Sequence, residues 1–192
     1  MTLEDYKKII RENLDDYRYY HSLCVADEAK RLAIKYGENQ EKAFLAGLLH
    51  DITKNYSKEE HLKVFERFDI ILTEQERNSE KLWHAITGSA YVKHILFIDD
   101  NDIISAIRYH TTARKNMSLL EKIVYLADFT SADRKYPDVD IMRQLVDISL
   151  EKAMEYSLKY TIKSLKTKGF VPHSDTMSAY YEITQKLKSE EI

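Results

Sequence analysis

Six residues of this 192-residue chain have the types and settings to hold cations: His21, His50, Asp51, His84, His110 and Asp128. His50 and Asp51 are adjacent and follow directly on the apolar run Phe44-Leu45-Ala46-Gly47-Leu48-Leu49. An imidazole and a carboxylate set against an apolar wall are costly unless something binds them. A hydrogen-bonded structural pair and a metal site both meet that demand, and a lone His-Asp dipeptide favours the first. The other four residues shift the balance. His21, His84 and His110 each lie beside an apolar helical stripe near a helix end. Asp128 follows Ile123-Val124-Tyr125-Leu126-Ala127, the same order of apolar run and then polar residue. Four imidazoles and two carboxylates form a mixed nitrogen and oxygen donor set, suited to iron, manganese, cobalt or zinc rather than calcium. Six protein ligands exceed the need of one catalytic ion with an open position. Two divalent ions ~3.5–4 Å apart, sharing a carboxylate, would use them all. The bland alternative is an assortment of separately satisfied core histidines.

Several other residues have chemistry to offer. Arg18 lies one turn before His21 and shares its helix face. Its planar guanidinium suits phosphate oxygens, with a surface ion pair as the alternative. Lys54, just after the His-Asp doublet, fits a phosphate contact or compensation of helix-end charge equally well. Arg134 is a third phosphate candidate. Arg114 and Lys115 read as solvated loop cations. Thr111 and Thr112 could meet a phosphate, but capping a turn suits them better. His173, after Pro172, reads as a surface loop histidine, with nucleotide contact as its sharper alternative. His61 and His94 lie in charged or mixed stretches and read as solvated. Trp83 reads as a core aromatic. Cys24 has no partner for nucleophilic work and reads as packing.

These side chains need helices to place them. Four glycines and two prolines leave long uninterrupted segments, which favours an all-α protein. Thr2 with Asp5, Ser57 with Glu60, Thr73 with Glu76 and Ser118 with Glu121 are helix-start signatures. The spacing predicts helices over about 16–36 (closed by Gly37), 44–49, 82–96, 102–109, 118–127, 140–168 (closed by Gly169) and 174–188. Nothing alternates strongly enough for a sheet.

The length suits one domain, a core of about 16–168 with helical extensions at both ends. Hydrophobic residues make up 44% of the chain, enough for a substantial core, and the formal net charge is −3. That charge argues against broad nucleic-acid binding, which needs a basic excess. A single cysteine rules out a disulfide framework and a thiolate-rich zinc site. The polar start Met1-Thr2-Leu3-Glu4-Asp5-Tyr6 is unlike a signal peptide, and no apolar stretch approaches the ~20 residues of a membrane span. The expectation is a cytoplasmic protein with a small-molecule partner, neither nucleic acid nor membrane. Apolar positions on the terminal helices leave a homodimer open.

The pattern resembles the HD-domain metal-dependent phosphohydrolases, named for the His-Asp doublet. The stretches Arg18-Tyr19-Tyr20-His21-Ser22-Leu23, His50-Asp51-Ile52-Thr53-Lys54, Leu82-Trp83-His84-Ala85, Tyr109-His110-Thr111-Thr112 and Tyr125-Leu126-Ala127-Asp128-Phe129, followed by Arg134, narrow it further. They are similar to the YqeK family, whose members are symmetrical bis(5'-nucleosyl)-tetraphosphatases. The resemblance implies an HD-domain helical bundle and a divalent metal cofactor, iron first, held as two ions. It implies that His21, His50, Asp51 and Asp128 hold one ion and that Asp51 bridges to a second on His84 and His110. It also implies a nucleotide substrate, diadenosine tetraphosphate, cleaved to two ADP; Arg18, Lys54, Thr111, Arg134 and His173 are the candidate substrate contacts by the chemistry of their side chains. Two departures fall in loops. Ala113 stands where a glycine is expected, and Thr130-Ser131-Ala132-Asp133 replaces an Ile-Glu-Pro-like turn.

Overall fold

The computed structural model describes residues 1–190. Among these it holds eleven α-helices and no strand. They are α1 (Leu3–Asn13), α2 (Asp16–Tyr36), α3 (Gln40–Leu49), α4 (Lys58–Arg67), α5 (Glu74–Arg77), α6 (Trp83–His94), α7 (Asn101–Tyr109), α8 (Leu119–Thr130), α9 (Val139–Ile148), α10 (Leu150–Thr167) and α11 (Ser174–Glu190). A short 3₁₀ turn, Glu80–Leu82, leads into α6.

All four capping boxes form, at Thr2, Ser57, Thr73 and Ser118, each with both reciprocal bonds. Gly37 ends α2 in the left-handed region at φ 75°, where a side chain would be strained. One expected helix is two. The 140–168 segment breaks at Ser149, whose extended backbone (φ −159°, ψ 130°) ends α9 while its hydroxyl accepts the Lys152 amide to start α10. Ser149 serves as a cap where the helical period runs through it unbroken.

The main core draws side chains from nearly the full length, from Ile10 on α1 to Ile183 on α11. Its centre is α2 lying against α3 and α8, with α7 closing the layer. Gly47 makes the α2–α3 approach possible. A Cβ built there would stand 3.0 Å from both Ala26 Cα and Val25 O. A satellite cluster of Phe65, Trp83 and Ile86 seats the start of α6. Trp83 is buried, and its indole N–H donates to the Glu76 carbonyl at 2.7 Å.

Candidate metal centre

The six candidate ligands arrive from five helices. His21 lies in the second turn of α2, and His50 and Asp51 follow the last turn of α3. His84 is the second residue of α6, His110 the first past α7, and Asp128 lies near the end of α8. The structure brings them together. The donor atoms of His21, His50 and Asp51 all lie within 4.8 Å of one another, and so do those of Asp51, His84 and His110. Asp51 belongs to both groups. Its Oδ1 stands 3.3 Å from His84 Nε2 and 3.5 Å from His110 Nε2, and its Oδ2 is 3.6 Å from His50 Nε2. Asp128 Oδ1 closes the first group, 2.9 Å from His21 Nε2 and 3.8 Å from His50 Nε2.

Three of the four rings are aimed by their far nitrogen. Nδ1 of His50 and Nδ1 of His110 donate to the carbonyls of Gly47 and Ile107, both at 2.7 Å. A carbonyl only accepts, so Nδ1 carries the proton and Nε2 presents a lone pair to the cage. His21 Nδ1 donates to Asp133 Oδ2 at 2.8 Å. Two of the converging donors have nothing of their own to bind. His50 Nε2 and Asp51 Oδ1 are buried without a hydrogen-bond partner, and each such orphan costs ~1–3 kcal/mol. His84 Nε2 and His110 Nε2 face each other at 3.1 Å. Two donors sharing one ion through bonds of ~2.1 Å stand ~3.0–3.4 Å apart, the range seen at the closest pairs here. The donor set fits a divalent transition metal.

The electrostatics agree. Burial alone would raise the Asp51 carboxyl, but the imidazoles and the Lys54 ammonium outweigh it and hold it well below the usual carboxylate range. Asp128 is also held far down, burial being outweighed by His21 and Arg134. Burial depresses His50 to about 4 and holds His84 well below the ordinary imidazole value, with Lys54 adding to the effect on His84. Both rings stay neutral at pH 7, as a metal ligand must. His21 is raised instead, because Asp128 and Asp133 outweigh its burial.

The candidate substrate residues divide. Arg18 Nη1 donates to Asp51 Oδ2 at 3.1 Å, and Arg134 pairs with Asp128 through both its side chain and its carbonyl. Lys54 Nζ lies 2.9 Å from His84 Nε2 and 3.6 Å from Asp51 Oδ1. All three cations are partly exposed at the rim of the cage. Thr111 reaches it too, its hydroxyl 3.3 Å from His84 Nε2 and 3.1 Å from His110 Nε2. Thr112 bonds within its turn and to Thr176. His173 lies on the loop before α11, where its Nδ1 accepts the Asp175 amide; its side chain is largely buried rather than at the surface as expected, and it makes no contact with the cage.

Two further readings need correction, and one residue was missed. His61 is buried, with Nδ1 2.9 Å from the Thr87 hydroxyl and its ring packed between Tyr56, Phe65 and Trp83. Its place one turn before Phe65 on the apolar face of α4 was the overlooked signal. Arg114 grips the buried Glu121 carboxylate with two bonds, so it is not a free loop cation. Asp133 entered only as part of an unexpected turn, yet it bonds a candidate ligand. His94 is exposed as expected and stacks on Phe68.

A helical bundle with this His/Asp cage is the architecture of the HD domain, and the HD domain family matches residues 18–133. The chain belongs to that family, and it is a metal-dependent phosphohydrolase. It is 35% identical over 180 residues to the symmetrical bis(5'-nucleosyl)-tetraphosphatase of Bacillus subtilis, covering 94% of this chain and 96% of that protein. It is 31% identical to the Staphylococcus aureus protein of the same name, covering 97% of each chain. A crystal structure from Clostridium acetobutylicum, described as a "predicted HD superfamily hydrolase involved in NAD metabolism", superposes with a TM-score of 0.93 at 36% identity. The match covers 97% of this chain and 98% of that one. Among the described residues, no helix is long and apolar enough to cross a membrane.

Proposed function

We propose that this phosphohydrolase acts on dinucleoside polyphosphates and cleaves diadenosine tetraphosphate at its central anhydride, giving two ADP. The observation that carries the reading is Asp51, whose two oxygens each face one group of imidazoles inside a chain that aligns end to end with symmetrical tetraphosphatases. That geometry supports two ions. His21, His50, Asp51 and Asp128 would hold one, and Asp51, His84 and His110 the other. Iron leads the candidates, with manganese, cobalt and zinc behind it. When bound, the ions supply Lewis acidity and bring the pKa of water toward neutrality.

The chain's own residues do the rest. Arg18, Lys54 and Arg134 form a cationic rim that receives the polyphosphate and neutralises charge spread over the phosphoryl oxygens as the anhydride bond breaks. Thr111, beside His84 and His110, offers a hydroxyl to a phosphate oxygen. Asp51 and Asp128 stay ionised at neutral pH under the influence of their cationic neighbours, so neither competes for a proton with the attacking water. The oxygen of a water molecule bonds to phosphorus as the bridging P–O bond breaks; one ADP leaves, the other carries the water oxygen, and the proton passes to solvent, with no covalent enzyme intermediate. The continuous core from Ile10 to Ile183 supports a single domain for the whole activity.

The test is metal analysis of protein purified without chelator, followed by chromatography of the products from a panel of nucleotides. ADP alone from diadenosine tetraphosphate supports the reading. ATP with AMP, linear products from cyclic dinucleotides only, or tight binding without turnover would each overturn it. The His50→Ala control is expected to lose both metal and turnover.

A further inference from the structure

We propose that Asp133 is a positioning residue that makes the His21 end of the centre the tighter of two unequal cation sites. This rests on the two-ion reading above. The four cage imidazoles are supported in different ways. His50 and His110 lean on neutral carbonyls, those of Gly47 and Ile107. His84 has neither carbonyl nor carboxylate behind it. Its Nδ1 is met by the Lys54 ammonium at 3.4 Å, and the same ammonium stands 2.9 Å from Nε2. His21 alone is backed by a carboxylate, that of Asp133.

That carboxylate is itself fixed. Asp133 Oδ2 meets His21, and Oδ1 accepts the Ser131 hydroxyl at 2.8 Å, with the side chain 4% exposed. The turn carrying it is also held. Arg134 N donates to Ser131 O at 3.0 Å, and Arg143 on α9 donates to the carbonyls of Thr130, Ser131 and Arg134. A carboxylate behind an imidazole fixes its tautomer and orientation and strengthens it as a donor. Removing such a support typically weakens metal binding 10–100-fold. At the opposite end Lys54 stands 2.9 Å from His84 Nε2, nearer than the 3.4 Å of Arg134 from His21 Nε2, so the protein's own cation competes more closely there.

The experiment titrates metal-free full-length protein with Mn²⁺ by equilibrium dialysis, and separately with Co²⁺ followed by visible absorption. Wild type is expected to bind Mn²⁺ in two unequal steps. Asp133→Ala weakens the tighter step 10–100-fold, leaves the weaker step in place, and alters the Co²⁺ spectrum of the first equivalent. Asp133→Asn, which keeps an acceptor oxygen, restores part of the loss. Ser131→Ala, which frees the carboxylate without removing it, weakens the same step less than tenfold and carries the test if Asp133→Ala does not fold. Two equal steps in wild type, or wild-type Mn²⁺ binding in the Asp133 and Ser131 variants, would overturn the proposal. Wild-type protein that takes up no Mn²⁺ overturns the metal-centre reading itself, before Asp133 is reached.

Discussion

Replacing Gly47 and Gly88 with alanine, one at a time, should move stability in opposite directions, although both are buried helical glycines beside the cage. At Gly47 the new methyl meets backbone, Ala26 Cα and Val25 O, at 3.0 Å each. Carbon contacts settle at ~3.5–4.0 Å, so α3 must move off α2 by a few tenths of an ångström. Overpacking of this kind costs ~1–3 kcal/mol, and backbone neighbours that cannot rotate away place it at the upper end. The helical gain of alanine over glycine returns ~1 kcal/mol, leaving a net loss of about 2. For a chain of this length that lowers Tm by about 4–8 °C. At Gly88 the nearest atoms are Ile107 Cγ2 and Thr53 Oγ1 at 3.5 Å and His50 O at 3.7 Å, ordinary contacts that leave room. There the gain of ~0.4–1 kcal/mol stands alone and Tm should rise by about 1–4 °C. Thermal denaturation followed by circular dichroism in the presence of EDTA separates these effects from metal binding. The same sign for both variants, or a Gly47→Ala protein as stable as wild type, would refute the packing argument. Gly47→Ala should also take up less metal, since α2 carries His21 and α3 delivers His50.

Asp51→Asn keeps the volume of the shared ligand but removes its charge from both cation positions. Metal content and turnover should fall together, beyond the ~100-fold typical of losing an outer support, as read by elemental analysis and product release. Burial lowers the His61 pKa below its ordinary 6.5, so the fold favours the neutral ring. That contribution is complete above pH ~6.5 and is lost as pH falls toward the folded-state value, by up to ~1.4 kcal/mol per pH unit. Urea denaturation at pH 7.5 and 5.5 should show a smaller loss for His61→Asn, which keeps a partner for Thr87 and does not titrate. Arg114→Ala strands the Glu121 carboxylate, which is 1% exposed and then has only its capping bonds. A loss of about 2 kcal/mol in urea denaturation is expected, less than for a fully buried pair because the arginine is partly exposed.

The helices were legible because their starts carry local chemistry. Thr2, Ser57, Thr73 and Ser118 each announce a cap through the residue three places on, and Gly37 announces an end. Ser149 was not legible, since Lys152 sits where a capping box places an acid, and the apolar period of α9 continues in phase into α10. The cage residues stood out because burying a His or Asp behind an apolar run needs a partner. Their convergence could not be read from spacing, because it depends on how α2, α3, α6, α7 and α8 cross. Resemblance supplied that step. Partnerships between distant residues were hidden for the same reason. Asp133 lies 112 positions from His21, and Thr87 lies 26 from His61. Ala113, noted as a missing glycine, has φ 57°, so the backbone takes the conformation that glycine favours and the alanine bears the strain.

His50 and His110 finish α3 and α7, and their Nδ1 protons close the last turns on Gly47 and Ile107. A helix leaves its final carbonyls without donors, so these rings do for the helix ends what a capping residue does. The two nitrogens of one ring thus serve scaffold and chemistry at once. An ion arriving here meets two rings already oriented and displaces the Lys54 ammonium and the contacts of Arg18 and Arg134 with the two carboxylates. Its departure leaves the helix ends closed. Stripped of metal, this framework is expected to stay folded, unlike small zinc domains that unfold, and circular dichroism with and without EDTA reads the difference.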